Sequence, residues 1–179
     1  MTLQQPRTIY LDMDGVVADW LAGATRIIGY ELTDPNAMYC KEDWDKLRSD
    51  KRIFRTLPKT ADADQLVDLA RRFRSELDYN LAFLTAIPHN NDMPHCFQDK
   101  VEWVQQYYPD IPVLFGPYSK DKYRHCKPGD ILVDDRADNC AAWSEAGGRA
   151  IKVGKKNDLS TALVVLAEIL QEECEARQR

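Results

Sequence analysis

Five short apolar runs typical of β-strands alternate along this chain with helical patterns, and this alternation limits the fold more than any other feature. The runs cover residues 8–11, 81–85, 113–115, 131–133 and 150–153. Four of them lead through a polar or Gly-rich turn into a helical pattern. Strands that alternate with helices form a parallel sheet with helices on both faces. The sequence therefore predicts an α/β sandwich of three layers.

Four segments have the spacing of amphipathic helices, namely residues 65–77, 95–108, 137–146 and 159–174. In the first of them, Leu66, Ala70, Phe73 and Leu77 fall on one face and charged residues on the other. Such a face packs against a sheet. We therefore expect these helices to cover the predicted strands.

Residues 20–59 interrupt the alternation. This stretch contains many charges, no strand pattern and five aromatic residues, which are Trp20, Tyr30, Tyr39, Trp44 and Phe54. It predicts a small helical cap (20–59) inserted after the first strand of a core that comprises residues 1–19 and 60–179. A cap above the carboxyl end of that strand can exclude water and select a substrate. Alternatively, its aromatic residues only form a small core of their own.

Composition excludes several classes of protein. Of the 179 residues, 44% are hydrophobic, as is typical of a globular protein. The net charge of −5 argues against a protein that binds nucleic acid or membrane surfaces. We find no apolar run near the roughly 20 residues of a membrane span and no signal-peptide pattern, so we expect a cytoplasmic protein. The five cysteines form no CxxC pair, and the spacing of the three histidines does not indicate a zinc site.

The first strand run ends in Asp12-Met13-Asp14-Gly15, which places two carboxylates where a buried strand meets a loop. Like charges at this spacing usually require a divalent cation. Ligands of open α/β sheets bind beyond the carboxyl ends of strands, where a carboxylate can also act as a nucleophile. The alternative is an ordinary solvated turn, because Asp and Gly are common turn residues.

Other strand runs end in residues suited to phosphate chemistry. Thr85 closes the second run, residues 119–122 (Ser-Lys-Asp-Lys) follow the third, and Asp134-Asp135 follow the fourth. A hydroxyl, ammonium groups and a second pair of carboxylates would thus converge on one crevice. One such ending is weak evidence, but the ordered set predicts a site for a phosphate ester.

In this order, Asp12-x-Asp14, Thr85, Lys122 and Asp134-Asp135 resemble the four motifs of the haloacid dehalogenase (HAD) superfamily. The chain is most similar to the 5'(3')-deoxyribonucleotidase family, through residues 12–19, 54–58, 100–106, 119–122 and 129–136. The resemblance spans roughly residues 8–153. It departs from the family where Ala86 replaces a common Ser, and a long interval before Asp134 leaves Lys120 as an alternative to Lys122.

The resemblance implies a HAD-like Rossmannoid fold and a phosphatase that forms an aspartyl-phosphate. Asp12 would attack phosphorus, and Asp14 would protonate the leaving oxygen and then activate water. Dehalogenases of the superfamily lack an acid at the position of Asp14, because a halide leaves without a proton. Thr85 and Lys122 would bind the phosphoryl oxygens.

The resemblance also implies a Mg²⁺ ion. Its expected ligands are an oxygen of Asp12, the backbone carbonyl of Asp14, and Asp134. Asp135 would stand behind them and orient the site or the lysine.

Substrate recognition is expected from Trp20, Phe54, Ala86 and Lys100, with Trp20 and Phe54 as walls for a base. The expected substrate is a small phosphate ester, namely a (deoxy)nucleoside monophosphate. Two alternatives remain open, which are a phosphatase for another small ester such as a sugar phosphate, and a non-catalytic binding protein of the same fold. The fold type allows a homodimer, although nothing in the sequence requires one.

Overall fold

The computed structural model describes residues 6–31, 39–88 and 92–179. Within them, five strands form one parallel sheet in the order β3-β2-β1-β4-β5. The strands are β1 (Thr8–Leu11), β2 (Asn80–Thr85), β3 (Val113–Phe115), β4 (Ile131–Asp134) and β5 (Arg149–Lys152). Each lies within one residue of its predicted position at both ends, so the predicted α/β class is confirmed.

Six α-helices accompany the strands in the described residues. They are α1 (Trp20–Ile28), α2 (Lys41–Ser49), α3 (Ala63–Leu77), α4 (Cys96–Tyr107), α5 (Ala137–Glu145) and α6 (Ser160–Arg177). The last four correspond to the four predicted amphipathic helices. None of the described helices combines the length and apolar character that a membrane crossing requires.

Alternate strand residues pack on opposite faces of the sheet, as a β-strand requires. Ile9 and Leu11 of β1 join the larger core, beneath α3, α4 and α6. Tyr10, between them, packs with Trp143 of α5 on the other face. Both faces are therefore covered, which explains why the strand sequences are apolar throughout.

Strand β1 lies between β2 and β4, and the direction of winding reverses there. The chain moves outward from β1 through β2 to β3, and then returns to the other side of β1 to form β4 and β5. Open α/β sheets bind ligands at such a reversal, beyond the carboxyl ends of the two strands. The residues after β1 and at the end of β4 are therefore where a site is expected.

The segment between β1 and α3 forms α1, α2 and a short 3₁₀ turn (Ile53–Arg55). Asp19 caps α1, because its side chain accepts a hydrogen bond of 2.9 Å from the Ala22 amide. Gly29 ends α1 with a φ of 90°, which glycine adopts without strain. Part of the predicted cap, residues 32–38, lies outside the described residues.

Helix α4 is fastened to this inserted segment. Arg52 lies 2.6 Å from the buried Asp99 and 3.4 Å from Glu102, and Arg55 lies 2.7 Å from Glu102. The Trp103 indole donates a 2.8 Å hydrogen bond to the Leu57 carbonyl. The 3₁₀ turn that carries Phe54 is therefore held against α4.

Candidate active site

A cavity of about 280 Å³ opens at the carboxyl edge of the sheet. Its lining divides into two parts. We call the polar part the charged floor, which consists of Asp12, Asp14, Ser119, Lys122, Asp135 and Arg136. We call the other part the apolar wall, which consists of Trp20, Trp44, Phe54, Ala86, Ile87 and Pro88. The floor comes from the turns that follow β1, β3 and β4, whereas the three aromatic rings of the wall come from the inserted segment.

A tight turn after β1 sets the positions of Asp12 and Asp14. The Met13 carbonyl accepts hydrogen bonds from the amides of Val16, Val17 and Ala18, at 2.8–3.1 Å. Gly15 has a φ of 79°, and a Cβ there would lie 2.7 Å from Oδ2 of Asp135. Only glycine fits this position, because a side chain would both strain the backbone and displace Asp135.

Lys122 lies beneath the cavity, with 2% of its surface exposed. Its Nζ is 2.7 Å from Asp12 Oδ1 and 2.8 Å from Asp134 Oδ2. Burial opposes the charge on Lys122, but the two carboxylates outweigh this effect and raise the pKa of Lys122. Lys120, the alternative in the sequence, is exposed and does not line the cavity. The geometry therefore favours Lys122.

Asp134 and Asp135 differ in their surroundings. Asp134 is fully buried, and its oxygens accept hydrogen bonds from the Arg136 amide, the Asn139 side chain and Lys122, at 2.8–3.0 Å. Asp135 lines the cavity instead. Asp134 is thus surrounded by protein donors, whereas Asp135 faces the cavity.

The floor carboxylates repel one another. Burial raises the pKa of Asp12, and the neighbouring Asp134 and Asp135 add to the shift against the opposing effect of Lys122. Burial likewise raises the pKa of Asp135 to about 6, with repulsion from Asp134 as the next cause. Groups perturbed in this way mark functional sites.

A divalent cation fits this arrangement. One oxygen from each of Asp12, Asp134 and Asp135 lies within 4.8 Å of the others. Oδ1 of Asp14 is buried and, among the described residues, has no hydrogen-bond partner. Four carboxylates stand against the two ammonium groups of Lys100 and Lys122, which leaves an excess of negative charge for a hard cation to balance.

Thr85 and Lys100 lie behind the cavity. Thr85 is fully buried at the end of β2, and its hydroxyl accepts a 2.7 Å hydrogen bond from Lys100 Nζ. Lys100 also donates to Asp14 Oδ2 at 2.6 Å and to the Ala86 carbonyl at 2.8 Å. Of the residues expected at the phosphate, Ala86 lines the cavity, whereas Thr85 and Lys100 do not.

The rings of the apolar wall pack on one another. Trp20 and Phe54 are stacked, with ring centroids 5.3 Å apart and planes inclined by 23°. Trp44 lies 6.3 Å from Trp20. These three rings therefore form a small cluster and also line the cavity.

Sequence patterns do not single out five of the lining residues as site residues, namely Trp44, Ile87, Pro88, Ser119 and Arg136. Trp44 lies on α2. It comes to lie beside Trp20 because of how α2 packs, and the sequence pattern of α2 does not reveal that packing. Ile87 and Pro88 follow directly after the Thr85-Ala86 ending of β2, so their position next to a motif is the available signal. Ser119 donates a 3.0 Å hydrogen bond to Asn139, which in turn holds Asp134.

Comparisons with solved structures agree with this architecture. A HAD-superfamily hydrolase from Ehrlichia chaffeensis aligns over 95% of this chain and 98% of its own, with a TM-score of 0.52 and 13% identity. A dehalogenase aligns over 85% of this chain and 86% of its own, with a TM-score of 0.52 and 14% identity. At these identities the similarity shows the fold alone. No curated protein sequence matches the chain.

The fold and the strand-end carboxylates define a HAD-like hydrolase, and the chain is an enzyme of the phosphatase and nucleotidase class. Residues 6–163 match the family model described as 5' nucleotidase, deoxy (pyrimidine), cytosolic type C protein. The chain belongs to this family, and the predicted resemblance to a HAD phosphatase close to the deoxyribonucleotidases is confirmed.

Proposed function

We propose that this enzyme is a Mg²⁺-dependent phosphomonoester hydrolase that acts on (deoxy)nucleoside monophosphates through an aspartyl-phosphate. The observation that carries the proposal is the juxtaposition of the two cavity surfaces. A carboxylate paired with a buried lysine lies on the floor, and stacked aromatic rings form the wall. A phosphate with a flat base attached matches both surfaces.

Asp12 acts as the nucleophile. Its Oδ1 accepts from the Met13 amide at 2.7 Å and contacts Lys122 at 2.7 Å, which fixes the plane of the carboxylate. Within the described residues, these polar contacts fall on Oδ1, so Oδ2 is the oxygen that attacks phosphorus. Lys122 provides positive charge next to the phosphoryl group, which lowers the energy of the transition state.

Asp14 acts as the general acid for the leaving group and then as the general base for water. Its Oδ2 accepts from Lys100, whereas Oδ1 has no partner among the described residues. The carboxyl group of Asp14 gives a proton to the leaving alcohol and later takes one from the attacking water.

Asp12, Asp135 and the Asp14 backbone carbonyl would hold the Mg²⁺. The ion would supply positive charge that offsets the repulsion between a phosphate dianion and the carboxylates. Asp134 was the expected ligand from the sequence, but its oxygens already accept hydrogen bonds from Arg136, Asn139 and Lys122. We therefore assign Asp134 to holding Lys122, and Asp135 to binding the ion.

The test is phosphate release from a panel of 5'- and 3'-nucleoside monophosphates, sugar phosphates and glycerol phosphate, with Mg²⁺ and with chelator. The expected result is Mg²⁺-dependent release that is fastest with nucleotides. Equal rates with all esters would remove the nucleotide assignment but keep the phosphatase. Release that is undiminished by chelator would contradict the metal assignment.

A further inference from the structure

Lys100 is a buried cation whose position does not match a role in substrate binding. It projects from α4 toward the floor, yet it is 1% exposed and does not line the cavity. A buried lysine must be paired or neutralised, because an uncompensated charge in a protein interior is costly. Its partners therefore indicate what it does.

An ammonium group has three N–H donors and no acceptor. Lys100 uses all three, on Asp14 Oδ2 at 2.6 Å, Thr85 Oγ1 at 2.7 Å and the Ala86 carbonyl at 2.8 Å. The ring of Phe54 covers a further side, with its centroid 4.9 Å from Nζ. No donor remains for a phosphoryl oxygen.

The three partners come from two different parts of the fold. Thr85 ends β2 and pairs with Phe115 in the sheet, and Ala86 follows it directly, whereas Asp14 lies in the turn after β1. Contacts at the end of β2 thus hold Nζ, and Nζ in turn holds one oxygen of Asp14. The other oxygen, Oδ1, is buried and has no hydrogen-bond partner among the described residues.

We propose that Lys100 is a positioning residue, which holds the Asp14 carboxylate in place for proton transfer to the leaving oxygen. This inference rests on the proposed role of Asp14 in proton transfer. It assigns Lys100 to the leaving-group side of the reaction and removes it from the phosphate-binding set. Lys122 then remains as the ammonium group that faces the phosphate.

The experiment compares two leaving groups with the full-length enzyme. A nucleoside 5'-monophosphate releases an alcohol that needs a proton, whereas 2,4-dinitrophenyl phosphate releases a stable anion. In Lys100→Met, kcat/KM should fall about 10²-fold or more for the nucleotide and less than about tenfold for the aryl ester, because general acid catalysis contributes about 10²–10⁴-fold. Lys155→Met, an exposed lysine outside the cavity, is the matched control.

A second measurement is inhibition by inorganic phosphate. Its inhibition constant should stay within about twofold in Lys100→Met, since Lys100 has no donor to offer a phosphate. A weaker phosphate affinity, together with equal losses on both substrates, would overturn the proposal and return Lys100 to substrate binding.

A third arm covers the case in which Lys100→Met does not fold. Lys100→Arg keeps the charge but replaces three convergent donors by a planar fork, so the same contrast between leaving groups should appear. In the Asp14→Asn background, a change at Lys100 should lower the nucleotide rate little further, because both residues serve one step. Additive losses would contradict the proposal.

The outcome also separates this inference from the proposed function. If the wild-type enzyme does not hydrolyse nucleotides, glycerol phosphate replaces them as the ester with a poor leaving group. The contrast between leaving groups then still tests Lys100. Only the assignment of the substrate is lost in that case.

Discussion

The charged floor and the apolar wall face the same cavity but are held in different ways. Buried contacts fix the floor, such as Lys122 at 2.7 Å from Asp12 and 2.8 Å from Asp134. The wall is held by ring packing and by ion pairs in contact with solvent, such as that of Arg55 with Glu102, whose side chains are 50% and 33% exposed. Exposed ion pairs and single ring contacts each contribute little, whereas breaking a buried charge pair is costly. The difference implies that the wall can change without loss of the chemistry.

The largest effect is expected at the floor. Asp12→Asn should lower kcat at least about 10⁴-fold on every ester, because the amide is not a nucleophile. The variant should stay folded, since Lys122 keeps Asp134 as its partner. Steady-state rates and thermal unfolding check both parts. Activity that survives on any substrate would contradict the assigned nucleophile and the contrast between floor and wall.

The wall should affect substrates selectively. Trp20→Leu should raise KM for a nucleoside monophosphate by about 5–150-fold, because stacking of a base contributes about 1–3 kcal/mol. The rate on glycerol phosphate, which has no ring, should stay nearly constant, and Trp20→Phe should recover most of the affinity. Equal losses on both esters would mean that the wall and the floor act as one unit.

A smaller effect is expected where the wall meets α4. Arg52→Gln leaves the buried Asp99 without its cation, so the free energy of unfolding should fall by about 1–3 kcal/mol. KM for the nucleotide should rise several-fold through movement of Phe54. Arg55→Gln is the matched control, because Arg55 is 50% exposed and its partner Glu102 is not buried. Chemical denaturation and nucleotide kinetics of both variants provide the check.

The smallest effect serves as a baseline for exposed ion pairs. Arg71, and then Arg74, lower the pKa of Asp110 from 3.8 to about 2. A lowered pKa stabilises the folded state above the usual pKa, and this contribution is lost as the pH falls toward the lowered value. Asp110→Asn should therefore cost a few tenths of a kcal/mol near neutral pH, with the difference from wild type shrinking below about pH 4. Urea unfolding from about pH 6 to about pH 3 measures it, and a constant difference would contradict the linkage.

Much of this architecture follows from the sequence because each strand stops where its apolar run stops. The charged residues that follow are thereby placed at one edge of the sheet. The sequence alone therefore predicts that Asp12, Asp14 and the pair Asp134-Asp135 lie at this edge. Parallel pairing then brings these strand ends together, whatever the loops between them do.

The details that sequence could not provide depend on the direction of single side chains. Consecutive residues at a strand end point in opposite directions, so the order Asp134-Asp135 does not reveal which one faces the cavity. The 3₁₀ turn from Ser119 to His125 places Lys122 inward and leaves Lys120 exposed, which the residue spacing leaves open.

The contacts of Lys100 were equally beyond sequence reasoning, although the family resemblance places this residue at the site. A lysine on an amphipathic helix is usually a surface residue, and this one is buried only because partners from β2 and from the turn after β1 meet around it. Those partners are distant in sequence, so no local pattern could have revealed their meeting.

The inserted segment leaves and re-enters the core at a single crossing. The Asp19 amide donates to the Pro58 carbonyl at 2.8 Å, and the Thr60 amide donates to Val17 at 3.0 Å. Forty residues of chain thus begin and end at neighbouring hydrogen bonds, a few residues beyond Asp12 and Asp14. A segment of different length or composition could join the core at the same two backbone hydrogen bonds. The turn that carries Asp12 and Asp14 would keep its own backbone hydrogen bonds.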